Sequence, residues 1–303
     1  MLILLILSTT NGCRPTRPVR AEGKISVTSV IFPSYDFVRA IAGDRVNLAM
    51  LLPPGAESHS FEPSPLDIIS ISESDLFIYP GGENSRWVER ILQSIDPENK
   101  IRALKLIDLV DTVEEELVEG MEDDDEAPTM DEHVWTSPRN AKVIVAAITE
   151  ALCSLDSANA DFYRQNAANY SEHLDELDAG FKTIVEGAKR KTLVFGDRFP
   201  FRYFTDAYGL KYFAAFPGCS TETEPSAATV AFLINKVKSE NIPVVFHIEL
   251  SNEKMADAIS EATGARKLLL HSCHNITRKD FESGVGYLDL QKANAENLRE
   301  ALW

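Results

Sequence analysis

From Lys24 onward, short runs of β-branched and aromatic residues alternate with stretches of helical period. Residues 25–32, 46–52, 76–79 and 101–106 read as strands, and residues 35–42, 65–72 and 87–94 as helices. The second half repeats the alternation: 192–195, 210–215, 244–249 and 267–270 are strand-like, and 227–239, 254–263 and 288–302 are helical. Near-continuous apolar strands between helices are what a parallel sheet buried on both faces requires. The prediction is an α/β fold of two lobes, each with a mainly parallel sheet flanked by helices.

The most regular stretch lies between the two halves. Apolar or aromatic residues fall at Tyr163, Ala167, Tyr170, Leu174, Leu177, Phe181, Ile184 and Ala188, in gaps of four and three that place one stripe along one face of a single helix. A helix of roughly 30 residues reaches about 45 Å, enough to run along both lobes as a rigid connector. Fewer than four heptads are present, which disfavours a coiled-coil dimer seam and makes a monomer the expectation. The predicted organisation is an N-terminal lobe over 24–156, a linker helix over 157–189 and a C-terminal lobe over 190–303. Ligands of such sheets bind beyond the carboxyl ends of the strands, so the cleft between lobes is the expected site.

Charge narrows the function. The 303 residues carry a formal net charge of -17, which argues against a nucleic-acid partner because phosphate needs a basic face. Residues 111–132 hold twelve carboxylates and no Lys or Arg, so the remainder of the chain is at only -5. Five consecutive acids, 122–126, repel one another and predict a solvated loop, either a surface insertion or a weak collector of cations.

At the N-terminus, apolar residues 2–7 precede small polar residues and Gly12-Cys13, the order of a secretory core and processing site. Such a run is too short to span a bilayer. The Gly-Cys pair resembles a bacterial lipoprotein signal, which implies residues 1–13 as signal, lipidation of Cys13 and 14–23 as a tether, with the chain anchored to the cell membrane outside the cytoplasm. Of the other cysteines, Cys153 sits in an apolar helical stretch as a small hydrophobe. An oxidising compartment permits a Cys219–Cys273 disulfide, and two unpaired thiols are the alternative. There is no CxxC pair.

Six histidines remain. His173 falls beside the stripe of the linker helix and reads as a surface residue. His59 follows a strand in a loop held by Pro53, Pro54 and Pro63, His133 lies between the acidic segment and a helix, and His271 follows the strand of Leu268 to Leu270. A held neutral imidazole has one nitrogen free to ligate a metal, and three such loops in a two-lobe protein point to a metal site.

The block His59-Ser60-Phe61-Glu62-Pro63 resembles the Pro-His-x-Tyr/Phe-Glu-Pro motif of the zinc and manganese solute-binding proteins of ABC transporters. Asp131-Glu132-His133-Val134-Trp135-Thr136-Ser137-Pro138-Arg139-Asn140 is similar to their Asp-Pro-His-x-Trp-x-x-Pro-x-Asn motif. The acidic insertion, the long helix, Thr263-Gly264 and Tyr287-Leu288-Asp289 extend the resemblance over most of residues 24–303. It implies one metal ion held between two lobes joined by a rigid helix, and a membrane permease as partner. The family's third ligand follows the first strand of the second lobe, where Asp197 is the expected donor. Arg198 has no lone pair to give. The fourth aligns with His271.

The implied set is therefore His59, His133, Asp197 and His271. His274 is an alternative to His271, and His247 and Glu249 alternate on one strand as further candidates. Glu222 and Glu224 read first as residues favoured near a helix N-terminus. Three imidazoles and a carboxylate favour Zn²⁺ over Mn²⁺. The resulting expectation is a lipid-anchored protein, not an enzyme, that captures Zn²⁺ and hands it to the permease. A zinc hydrolase and a surface adhesion module on the same fold are the alternatives. The hydrolase lacks HExxH, Gly-x-Ser-x-Gly and phosphate-loop sequences.

Overall fold

The computed structural model describes residues 21, 23–57, 61–96, 99–121, 129–220 and 225–303. Cys13, His59, Glu222, Glu224 and the acid run 122–126 lie outside the described residues.

The first lobe runs β1 (Ser26–Ser29), α1 (Phe32–Ala42), β2 (Asn47–Met50), α2 (Pro65–Ser72), β3 (Leu76–Tyr79), α3 (Arg86–Ser94), β4 (Arg102–Lys105) and α4 (Pro138–Leu155). Its strands pair in parallel in the order β2-β1-β3-β4. After α5 (Ala160–Glu186) come β5 (Thr192–Phe199), α6 (Arg202–Tyr208), β6 (Lys211–Pro217), α7 (Ala227–Ser239), β7 (Val244–His247), α8 (Lys254–Thr263), β8 (Arg266–Leu269), α9 (Arg278–Glu282) and α10 (Tyr287–Leu302). The second sheet is also parallel, in the order β6-β5-β7-β8. The expected two-lobe α/β fold is the observed one.

The side-chain period of two explains the apolar strands. On β5, Leu193 and Phe195 enter the core shared with α5 and α10, while Val194 enters the one under α7 and α8. On β7, Val244 and Phe246 divide from Val245 in the same way. Both faces of the sheet are buried, as parallel pairing demands. Gly196 is required where β5 meets α8, since a Cβ there would lie 2.6 Å from the Ala256 backbone.

The stripe on α5 serves two cores. Tyr163, Ala167, Tyr170 and Leu174 pack in the first lobe, and Leu177, Phe181 and Ile184 in the second. Ala188 lies beyond the helix end. A second strut runs beside it: α10 packs on α5, with Tyr287 in the first core and Leu298 and Leu302 in the second.

The acidic segment differs from a purely solvated loop. Its first part straps the lobes together: Val118 and Met121 pack on the second core, and Gly120 meets the Phe232 ring. Glu115 Oε1 accepts the Cys219 backbone N–H at 2.7 Å. Its end turns inward, with Asp131 and Glu132 buried. Acids predict solvation where no partner is offered, and here the second lobe offers Glu115 the Cys219 N–H. The Cys219–Cys273 disulfide is not formed. Both are free thiols, Cys273 sealed in the first core and Cys219 beside Glu115 on the loop after β6.

Candidate metal centre

The loops after the strands converge on a cleft between the lobes. It is lined by Ala56, Glu57 and His133 from the first lobe, and by Arg198, Gly218, Glu249, Ser272 and His274 from the second. His133 is fully buried, and its ring lies edge-on to that of His274, with centroids 5.3 Å apart. Trp135 touches both rings.

His133 is oriented by its own loop. Asp131 Oδ1 accepts the His133 backbone N–H at 2.7 Å and lies 3.0 Å from Nδ1. A carboxylate on Nδ1 fixes the tautomer that presents Nε2 to a metal and raises its basicity. Burial alone would lower the His133 pKa, but the charge and hydrogen bond of Asp131 overcome it and the net shift is upward. The neighbouring Glu132 carboxyl is pushed up to about 7, chiefly by burial.

The loop after β8 is built by its neighbours. Asn294 clasps His271, accepting its N–H at 2.7 Å and donating to its carbonyl at 2.8 Å. Glu249 accepts from the Ser272 N–H and hydroxyl and from the His274 N–H. The Trp135 indole N–H donates to Ser272 O at 2.9 Å. Cys273 adopts a left-handed φ of 64°, a conformation that non-glycine residues rarely hold without surrounding support.

The sequence-expected donors divide. His133 and the alternative His274 line one cleft. His271 Nδ1 instead accepts the Cys273 N–H at 3.0 Å, and this side chain is not part of the cleft lining. Asp197 accepts the Arg198 and Ile248 N–H groups, at 2.8 and 3.2 Å, and faces an adjoining opening with Phe216 and Met255. Burial raises its pKa despite those bonds. Glu249 organises the β8 loop, and His247 Nδ1 lies 3.1 Å from Ile248 O, away from the cleft. His173 is exposed on α5 beside Glu176.

Three contributors carried little signal in the sequence. Asp131 was legible only as part of the His133 motif. The Arg198 guanidinium reaches into the cleft and bridges the lobes, 3.1 Å from Glu57 Oε2 and 3.2 Å from Ser220 O. Cys219, beside Glu132 and His133, stood apart from any motif.

The donors are imidazole, carboxylate and one thiol, the set that suits a borderline divalent cation. Two parallel-sheet lobes on a continuous helix, with imidazoles from both lobes meeting at the cleft, define a solute-binding protein of the rigid-linker class. The chain belongs to the ZnuA family, zinc-uptake complex component A, periplasmic, whose family model matches residues 27–301. Members are extracytoplasmic solute-binding components of ABC transporters.

The chain is 32% identical over 282 residues to the high-affinity zinc uptake system protein ZnuA of Bacillus subtilis (strain 168), covering 92% of this chain and 88% of that protein. It is 30% identical to the zinc-binding lipoprotein AdcA of Streptococcus pneumoniae (strain R6), covering 93% of this chain and 56% of AdcA, so it spans about half of that relative. The crystal structure of the Zn(II)-bound ZnuA-like domain of Streptococcus pneumoniae AdcA superposes with a TM-score of 0.77. That match has 28% identity and covers 92% of this chain and 99% of that one.

Proposed function

We propose that this chain captures one Zn²⁺ ion in the inter-lobe cleft and delivers it to a membrane permease, acting as a monomer anchored through a lipid on Cys13. The observation that carries the reading is the pair of imidazoles, His133 and His274, meeting from opposite lobes in one cleft. His59, the histidine of the motif that carries the resemblance, is the third imidazole of this reading. Asp197 and His271 are the other donors that the resemblance implies; Asp197 accepts the Arg198 and Ile248 N–H groups and His271 Nδ1 accepts the Cys273 N–H.

Imidazole-rich coordination favours Zn²⁺ over Mn²⁺. The chain acts in transport rather than catalysis. Among the described residues, the two carboxylates lining the cleft are engaged, Glu249 by the β8 loop and Glu57 by Arg198, so neither is set to activate a water. Elemental analysis of the purified chain tests the reading. The expected result is one zinc per chain after dialysis, lost in His133→Ala and weakened in His59→Ala. No stoichiometric zinc after reconstitution would overturn it.

A further inference from the structure

Beside the cleft, a second donor set meets the same imidazole. Ligand atoms of Glu132, His133 and Cys219 all lie within 4.8 Å of one another. Zinc–donor bonds of about 2.0 to 2.3 Å put neighbouring donors about 3.5 Å apart, so closure of about 1 Å would complete three ligands of a tetrahedral site.

Two further observations point to a cation there. Glu132 is 2% exposed, yet among the described residues its buried Oε2 atom has no hydrogen-bond partner, while Oε1 accepts a long bond from Asn84 at 3.3 Å. An orphaned buried carboxylate oxygen is costly unless something positive reaches it. The thiol is placed rather than incidental, because Glu115 pins the Cys219 backbone N–H across the lobe interface.

We propose that Cys219, Glu132 and His133 form a thiolate-bearing subsite for a thiophilic divalent cation such as Zn²⁺ or Cd²⁺. It shares His133 with the cleft, so one ion occupies either set. Binding there converts the Cys219 thiol to a thiolate, and the displaced proton leaves to solvent. The fourth position is open to water, as is usual where three protein ligands bind zinc. The subsite rests on the capture reading for its cation, but its softer donors make it distinct from the imidazole set.

Co²⁺ replaces Zn²⁺ as a visible probe, and a thiolate ligand gives it a near-ultraviolet charge-transfer band. The expected result for the full chain is one Co²⁺ with that band in the wild type. In His274→Ala, which cuts the imidazole set, the band persists or strengthens. In Cys219→Ser, a conservative change at a partly exposed position, the band disappears while His274 still supports binding. Stoichiometric Co²⁺ without the band in both wild type and His274→Ala would overturn the subsite and leave the capture reading standing. Loss of all metal from His274→Ala, with the wild type loaded, would do the same. Failure of the wild type itself to bind Co²⁺ or Zn²⁺ would overturn the capture reading and the subsite with it.

Discussion

Which imidazole enters the cleft is decided by a single backbone turn. In His271-Ser272-Cys273-His274 the left-handed residue is Cys273, and His274 lines the cleft while His271 receives the Cys273 N–H. Sequence alone placed both histidines at the end of a strand but could not place the turn between them, because a non-glycine left-handed residue leaves no compositional mark. His274→Ala is expected to weaken zinc binding about 100-fold or more, at least what loss of an outer-shell partner costs. His271→Ala should leave affinity within a few-fold and lower stability instead, by about 1 kcal/mol for the stranded Cys273 N–H. Calorimetric zinc titrations and thermal melts of both variants separate the two effects, and equal losses of affinity would return His271 to the ligand set.

The same scale gives a pH dependence. In the metal-free chain Glu132 holds its proton up to about 7, above its unfolded value of 4.5, so the native state binds more protons between those limits. Stability then falls as pH rises through that window. The raised His133 pKa acts in the same direction, its contribution being present at low pH and lost as pH rises through the folded value. Chemical denaturation of metal-free protein at pH 5 and pH 8 should show Glu132→Gln less sensitive to pH than the wild type, and an unchanged slope would contradict the assignment.

At the scale of elements, the long periodic segments were legible and the short ones were not. The stripe of α5 announced a helix because one face is buried along its length. The seven residues of α6 and five of α9 are too short for a period to emerge. The acid-rich segment was legible only in part: Glu115 and the apolar Val118 and Met121 dock its first part on the second lobe, while the acid run 122–126 lies outside the described residues. The β8 loop crosses in the other direction, where Asn275 Nδ2 donates to Pro53 O and Ala56 O, both at 2.8 Å. These bonds brace the segment that leads to His59. Asn275→Ala should cost about 2 kcal/mol for the two part-buried bonds and weaken zinc binding without removing a ligand. Denaturant midpoints and zinc titration check it, and unchanged zinc affinity would show that the bracing is dispensable.

Across the whole molecule, two helices rather than one tie the lobes. The linker was foreseen from its stripe, whereas α10 read as an ordinary terminal helix because its crossing depends on where its two ends are buried. With α5 and α10 side by side, and the Arg198–Glu57 bridge and the Glu115 strap beside the cleft, a wide hinge motion would break several packed contacts at once. Metal exchange is then expected through loop rearrangement. Small-angle scattering should show nearly the same radius of gyration with and without zinc, and a change of several ångströms would favour domain closure.

In the proposed function zinc lies between the lobes on His133. Anomalous diffraction at the zinc edge from crystals of the loaded chain locates the ion. The expected map has one strong peak within bonding distance of His133 and in contact with a ligand from the second lobe. A peak confined to the acidic surface, or none near His133, would contradict it.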